Sequence, residues 1–199
     1  MVMTNIYFLR HGETDWNVMG RIQGRTDIQL NDNGVRQAKE SSEFLSNLNI
    51  DCIITSPLKR AKDTAEIVRE KLNVELIEME EFIELSFGDA EGMTLVERLE
   101  LYPDRIYPNQ EEDESIKARF FKGLDTVHQK YNNKNVLIVS HGAFINAILY
   151  HYSNGEIGTG KIKLTNGGIT SLKMSDDKVE ILEYNQINHL SQYNRIGEI

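Results

Sequence analysis

The sequence predicts an α/β fold, a three-layer sandwich whose mostly parallel central sheet carries helices on both faces. Three observations predict it. Short apolar runs alternate along the chain with stretches whose apolar residues recur at helical spacing. The clearest runs, Ile6–Leu9 and Val136–Val139, are continuously apolar, the mark of strands buried on both sides. Polar residues able to do chemistry follow directly after both runs, where open α/β sheets place their ligands.

The elements follow in order. Ile6–Leu9 predicts the first strand. Asn31 and Asp32 precede a helical stretch marked by Val35, Ala38, Ser42, Leu45 and Leu48. Ile50–Ile54 predicts a second buried strand. Ser56-Pro57 predicts a helix start, because proline is preorganised for the first helical position. Leu58, Ala61, Ala65, Val68 and Leu72 then form one apolar stripe. Val74–Ile77 predicts a third strand, and Glu84–Gly92 a glycine-punctuated loop. Prolines and the acidic run Glu111–Glu114 predict a loop between helices. Ile116, Phe120, Leu124, Val127 and Tyr131 predict a long helix. A helix through Ile145, Ile148 and Leu149 follows the Val136–Val139 strand. Two strands around Ile169–Met174 and Val179–Glu183, joined at Asp176-Asp177, end the pattern.

The chain has 199 residues, which suits one domain spanning residues 1–199 with its own core. A hydrophobic fraction of 40% and a charged fraction of 27% are ordinary for a globular protein. The single cysteine, Cys52, excludes an internal disulfide framework and reads as a small buried hydrophobe. That fits a reducing, cytoplasmic location. The N-terminus shows no basic region before a long apolar stretch, so no signal peptide is expected. No run approaches a membrane span. A formal net charge of −9 argues against nucleic acid as a partner. It leaves a small anionic substrate open, because a local cationic pocket can bind phosphate on an acidic protein. A homodimer is equally compatible with this composition.

Arg10-His11-Gly12-Glu13-Thr14 follows the first strand, and Ser140-His141-Gly142 follows the Val136–Val139 strand. Either histidine alone reads as well as a hydrogen-bonded turn residue. Two of them at one sheet edge, with Arg10 adjacent, favour a site. Arg60 falls in the first turn of its helix, where the macrodipole disfavours a cation unless an anion is bound there. Alone it reads as a surface arginine. Glu84, on its glycine-flanked loop, has the chemistry of a general acid but is one of 31 acidic residues. No Gly-x-Ser-x-Gly elbow and no Gly-x-x-x-x-Gly-Lys-Ser/Thr loop occurs. No cluster of carboxylates or histidines has convincing metal-ligand spacing, so neither a metal nor a cofactor is expected. His128 reads as an exposed helix residue and His151 as a helix-end residue.

In order along the chain, Arg10-His11-Gly12-Glu13-Thr14, Trp16-Asn17, Arg21-Ile22-Gln23-Gly24 with Asp27, and Ser56-Pro57-Leu58-Lys59-Arg60-Ala61 resemble the histidine phosphatase superfamily in its phosphoglycerate-mutase-like branch. The resemblance continues through Glu84, Gly88, Glu91 and Gly92, Glu114-Ser115, Ser140-His141-Gly142, and Asn185 with His189-Leu190. It implies that His11 attacks phosphorus and becomes phosphorylated. Arg10, Arg60 and His141 would hold the non-bridging oxygens, with Asn17, Gln23, Gly24 and Gly142 completing the phosphate pocket. Glu84 would protonate the leaving oxygen and later activate water, and His189 would be structural. The expected enzyme is a metal-independent phosphomonoesterase acting on a small phosphorylated metabolite.

A 2,3-bisphosphoglycerate-dependent phosphoglycerate mutase is the alternative. The true mutases of this family are longer between the acid loop and Ser-His-Gly, and carry an adjacent arginine pair there. Here that stretch holds only Arg98, Arg105 and Arg119, none adjacent. Gln29 stands where many relatives have proline. A catalytically dead phosphoprotein-binding module is disfavoured, because His11, Arg60, Glu84 and His141 are all present. The segment Pro103–Glu114 is expected to shape the cavity entrance.

Overall fold

The computed structural model describes residues 3–193. The strands are β1 (Met3–Arg10), β2 (Cys52–Thr55), β3 (Glu75–Glu78), β4 (Asn135–Ser140), β5 (Ile169–Ser175) and β6 (Val179–Gln186). The α-helices are α1 (Asp15–Val18), α2 (Asp32–Leu45), α3 (Lys59–Leu72), α4 (Leu95–Leu101), α5 (Asp113–Lys130) and α6 (Gly142–Tyr152). The sheet order is β3-β2-β4-β1-β5-β6. The first four strands are mutually parallel, while β5 runs antiparallel to β1 and β6 antiparallel to β5.

Side chains of a strand alternate between the two sheet faces, so each continuous apolar run feeds two cores. Ile6, Phe8, Cys52, Ile54, Val136 and Ile138 pack on one side against Phe120, Leu124 and Val127 of α5 and Phe144, Ile145 and Ile148 of α6. Leu9, Ile53, Leu137 and Val139 pack on the other against Leu45 of α2 and Ala61, Ala65 and Val68 of α3. Each fully buried Leu, Ile or Phe contributes roughly 1.5–3 kcal/mol. The predicted α/β sandwich is the observed one.

Several local expectations shift. Strand β2 begins at Cys52 rather than Ile50; Asp51, just before it, donates its amide to Asn135 O at 2.8 Å while its carboxylate accepts from Lys134 and the Asn135 amide. Helix α3 opens at Lys59, two residues after Pro57, with Leu58 at its N-cap position. Leu58 has no capping side chain; the Asp27 carboxylate accepts the Lys59 amide at 2.8 Å instead. Part of the acidic run belongs to α5, which starts at Asp113. Helix α4 was not expected. It is opened by a Thr94–Glu97 capping box but buries none of its residues, so no apolar stripe marks it.

His128 is buried, not exposed. Its Nε2 donates to Asp176 at 3.1 Å and its Nδ1 lies 2.9 Å from Thr4 Oγ1. The turn of the β5–β6 hairpin folds over the end of α5, a contact that helical periodicity cannot report. Among the described residues, no helix is long and apolar enough to cross a membrane.

Candidate active site

Three neighbouring parallel strands end in step. Arg10 of β1 pairs with Ser140 of β4, and Thr55 of β2 pairs with Val139. The next residue on each chain is therefore His11, His141 or Ser56, all at the carboxyl edge of the sheet. The His11 and His141 rings lie 5.2 Å apart, and His141 Nε2 shares a 2.6 Å hydrogen bond with Ser56 Oγ.

Two hydrogen bonds fix the His11 tautomer. Its Nδ1 donates to its neighbour's carbonyl, Gly12 O, at 2.7 Å, and a carbonyl can only accept. Nε2 therefore carries no proton, and its lone pair accepts from Arg60 Nε at 3.2 Å. Burial, then the charges of Arg60 and Arg10, push the imidazole well below its ordinary value and keep it neutral.

Arg60 is 1% exposed, which excludes the surface reading. Its Nη1 donates to Thr26 O at 2.9 Å and its Nη2 to Gly24 O at 2.7 Å. The guanidinium is thus anchored by backbone carbonyls rather than by a carboxylate in contact. Arg10 is anchored similarly, with Nη1 donating to Leu164 O. Burial lowers its pKa to about 10. Two buried atoms of this cluster, Arg10 Nε and His141 Nδ1, have no hydrogen-bond partner.

Glu84 is also buried. Its carboxyl accepts from the Leu85 amide at 2.9 Å and, at the N-terminus of α6, from Ala143 and Phe144 at 3.2 and 2.9 Å. Burial raises its pKa, outweighing those bonds and the Arg60 charge. The direction of that shift favours the protonated form, the form a proton donor uses.

Arg10, His11, Asn17, Gln23, Gly24, Arg60, Glu84 and Gly142 all line one cavity of about 230 Å³. Arg21, Ile22, Phe87 and Ala143 complete its wall. His141 stands behind His11, fully buried and not part of the lining. No residue of Pro103–Glu114 lines the cavity itself. Its Pro108 carbonyl instead accepts the Asp89 amide, buttressing the acid loop from outside. Arg98, Arg105 and Arg119 do not line the cavity either.

The two glycines after the histidines have distinct reasons. A Cβ on Gly12 would collide with the backbone carbonyl of Gly34 on α2, so Gly12 permits loop and helix to touch. A Cβ on Gly142 would stand 3.0 Å from Arg10 Nε, so Gly142 leaves room for that guanidinium.

Two participants escaped the sequence reading. Asn166 donates to His11 O at 3.0 Å and to Asn17 Oδ1 at 3.2 Å. Asn17 Oδ1 also accepts from the Thr14 amide and hydroxyl, which leaves its NH₂ for the cavity. Ser56 belonged to a recognised block but carried no assigned task. Asn166 lies in a Thr-Asn-Gly-Gly turn that reads only as a turn. His189 was read as structural, and its Nε2 donates to Gly167 O at 3.0 Å. Among the described residues, no group of three or more His, Cys, Asp or Glu side chains is gathered to hold a metal ion.

Known proteins share this arrangement of the chain. Residues 6–187 match the sequence model of the histidine phosphatase superfamily (branch 1). A Bacillus subtilis (strain 168) protein named uncharacterized phosphatase PhoE is 47% identical over 191 residues, covering 96% of this chain and 99% of that protein. The metal-independent phosphoserine phosphatase of Arabidopsis thaliana is 29% identical over 203 residues, covering 95% of this chain and 84% of its own. The crystal structure of an Entamoeba histolytica phosphoserine phosphatase variant with phosphoserine superimposes with a TM-score of 0.81 at 31% identity, covering 94% of this chain and 99% of that one. With the match running from the first strand to the last, the chain belongs to the histidine phosphatase superfamily, branch 1.

Proposed function

We propose that this protein hydrolyses small phosphomonoesters through a phosphohistidine formed on His11. One observation carries the reading. A neutral imidazole, unprotonated at Nε2 and accepting there from Arg60, shares a small cavity with two anchored guanidiniums and a carboxyl of raised pKa.

The geometry supports the following steps. His11 Nε2 attacks phosphorus as the ester P–O bond breaks. Glu84 gives its proton to the departing oxygen, so an alcohol leaves rather than an alkoxide. Water then attacks the phosphohistidine, Glu84 takes a proton from it, and inorganic phosphate is released as Nε2 regains its lone pair. Charge on the three equatorial oxygens is met by Arg10, Arg60 and His141. Arg10 Nε and His141 Nδ1, the buried donors of the cluster without a partner among the described residues, are the ones we assign to those oxygens, although His141 itself does not line the cavity. Ser56 supports the second, because its hydroxyl accepts from the Leu58 amide and can donate to His141 Nε2, which leaves Nδ1 protonated. The Asn17 amide and the N-terminal turn of α6 at Gly142 add to the cradle. Gln23 and Gly24 border it, and Gly24 acts chiefly by holding Arg60.

Hydrolysis rather than mutase transfer fits a cavity whose cations are Arg10, Arg60 and Arg21, with no further arginine pair. A free, buried Cys52 suits the cytoplasm. Rapid acid quench of the enzyme with ³²P-labelled phosphomonoester tests the proposal. Acid-labile, base-stable label should appear on the peptide containing His11, and activity should survive EDTA. Near-normal turnover by His11→Ala, or loss on chelation with rescue by Mg²⁺, rejects it.

A further inference from the structure

We propose that Glu111, outside the cavity, is the positioning residue for the proton donor Glu84. This rests on the reading of Glu84 as general acid. The sequence grouped Glu111 with an acidic run, and the family resemblance pointed instead to Glu114-Ser115. The structure separates them. Glu114 is exposed, whereas the Glu111 side chain is only 7% exposed and is the centre of a network.

Glu111 Oε1 accepts from Arg119 Nε at 2.7 Å and from Ser115 Oγ at 2.9 Å. Its Oε2 accepts from Arg119 Nη2 at 2.8 Å, from Arg25 Nη2 at 3.1 Å and from the Ser86 amide at 3.4 Å. The Glu111 amide also donates to Ser86 O at 2.9 Å. Both arginines pass the restraint to the acid loop. Arg119 Nη1 donates to the carbonyls of Glu81 and Ile83, each at 3.0 Å. Arg25 Nε donates to Glu84 O at 3.3 Å.

One carboxylate thus gathers clamps on residues 81, 83, 84 and 86, on both sides of the proton donor. Burial alone would raise the Glu111 carboxyl, but Arg119 and its other donors outweigh that and hold it below the usual range, so it stays ionised as the network requires. The Arg119–Glu111 contact is bidentate, which fixes direction as well as distance. Glu84 lies in no helix or strand; the N-terminus of α6 holds its carboxyl, while its backbone depends on these clamps. Removing the hub frees the loop and lets the carboxyl drift from the leaving oxygen.

The test compares Glu111→Gln with Glu84→Gln and with Glu114→Gln as a charge control. Single-turnover rates are read on an alkyl phosphate and on p-nitrophenyl phosphate, whose leaving group needs no proton. Small misplacements of a catalytic group cost up to about 100-fold. Glu111→Gln should therefore lose about 10- to 100-fold on the alkyl ester, clearly less on p-nitrophenyl phosphate, and add nothing to the loss of Glu84→Gln in the double variant. The basic limb of its pH–rate profile should also move. Arg25→Gln, which removes one clamp and leaves the Arg119 pair, should show a smaller loss of the same selectivity and carries the test should Glu111→Gln fail to fold. Selective loss in Glu84→Gln with equal or no loss in the Glu111 or Arg25 variant overturns the positioning role alone. Equal loss on both esters in Glu84→Gln overturns the general-acid reading, and this proposal with it.

Discussion

Arg60 Nε donates to His11 Nε2 at 3.2 Å, so a fixed cation stands beside the lone pair proposed to attack phosphorus. The contact discourages protonation of the ring, and it places the guanidinium beside the phosphate as the bond forms.

Arg60→Ala should lower kcat/KM on the order of 10²–10³, the usual cost of a preorganised donor to developing charge. It should also cost stability, because the Gly24 and Thr26 carbonyls lose their donor; an unsatisfied buried group typically costs about 1–3 kcal/mol. Steady-state kinetics and urea unfolding of the same preparation check both. An active variant of wild-type stability would contradict the observed anchoring.

The pH dependence has two opposed parts. His11 and His141 are lowered well below 6.5 in the folded protein, chiefly by burial and then by Arg60. Their stability contribution is complete above about pH 6.5 and is lost as pH falls from there toward the folded values, since the unfolded chain binds the extra protons. Glu84 is raised above 4.5 by burial, so its contribution is complete below about pH 4.5 and is lost as pH rises through the folded value. Thermal unfolding of Glu84→Gln should lack the second loss, gaining on wild type as pH rises. In kcat/KM, the acid limb should lie below pH 6.5 and the basic limb above 4.5.

The same substitution at two glycines should separate folding from binding. Gly12→Ala places a methyl against rigid backbone of Gly34, and overpacking of this kind typically costs about 1–3 kcal/mol. Gly142→Ala meets the Arg10 guanidinium, which can shift, so KM should rise while the melting temperature changes little. A reversal of these two phenotypes would refute the assignment.

Glu84→Gln should lose on the order of 10²–10⁴ in the first step with an alkyl phosphate and noticeably less with p-nitrophenyl phosphate. Glu91, on the same loop, is no silent control. It accepts from the Arg25 and Thr26 amides, the Thr26 hydroxyl and the Phe87 amide. Glu91→Gln should therefore lower stability and reduce both substrates alike. Leaving-group selectivity in Glu91→Gln would transfer the proton donor to that residue.

The residues proposed to react were legible because parallel strands export their next residue to one edge, and the apolar runs mark where strands end. His11 and His141 are found that way. Arg60 and Glu84 were singled out by position and by family pattern, and burial distinguishes them from surface charges. What was not legible depends on contacts distant along the chain. Asn166 meets His11 across 155 positions, and Glu111 reaches Arg25 across 86. His128 was misplaced for the same reason, since its burial comes from a hairpin turn after β5.

The stretch from Gly24 to Asp27 has no helix or strand of its own, yet several distant parts converge on it. Its carbonyls hold Arg60, Asp27 caps α3, and Glu91 holds its amides. Order in this short stretch and aim in the guanidinium are consequently a single event. A chain in which this stretch is open carries the same arginine without those anchors. The aim of this guanidinium is thus a property of the assembled fold, to which the acid loop, α3 and the Gly24–Asp27 stretch all contribute.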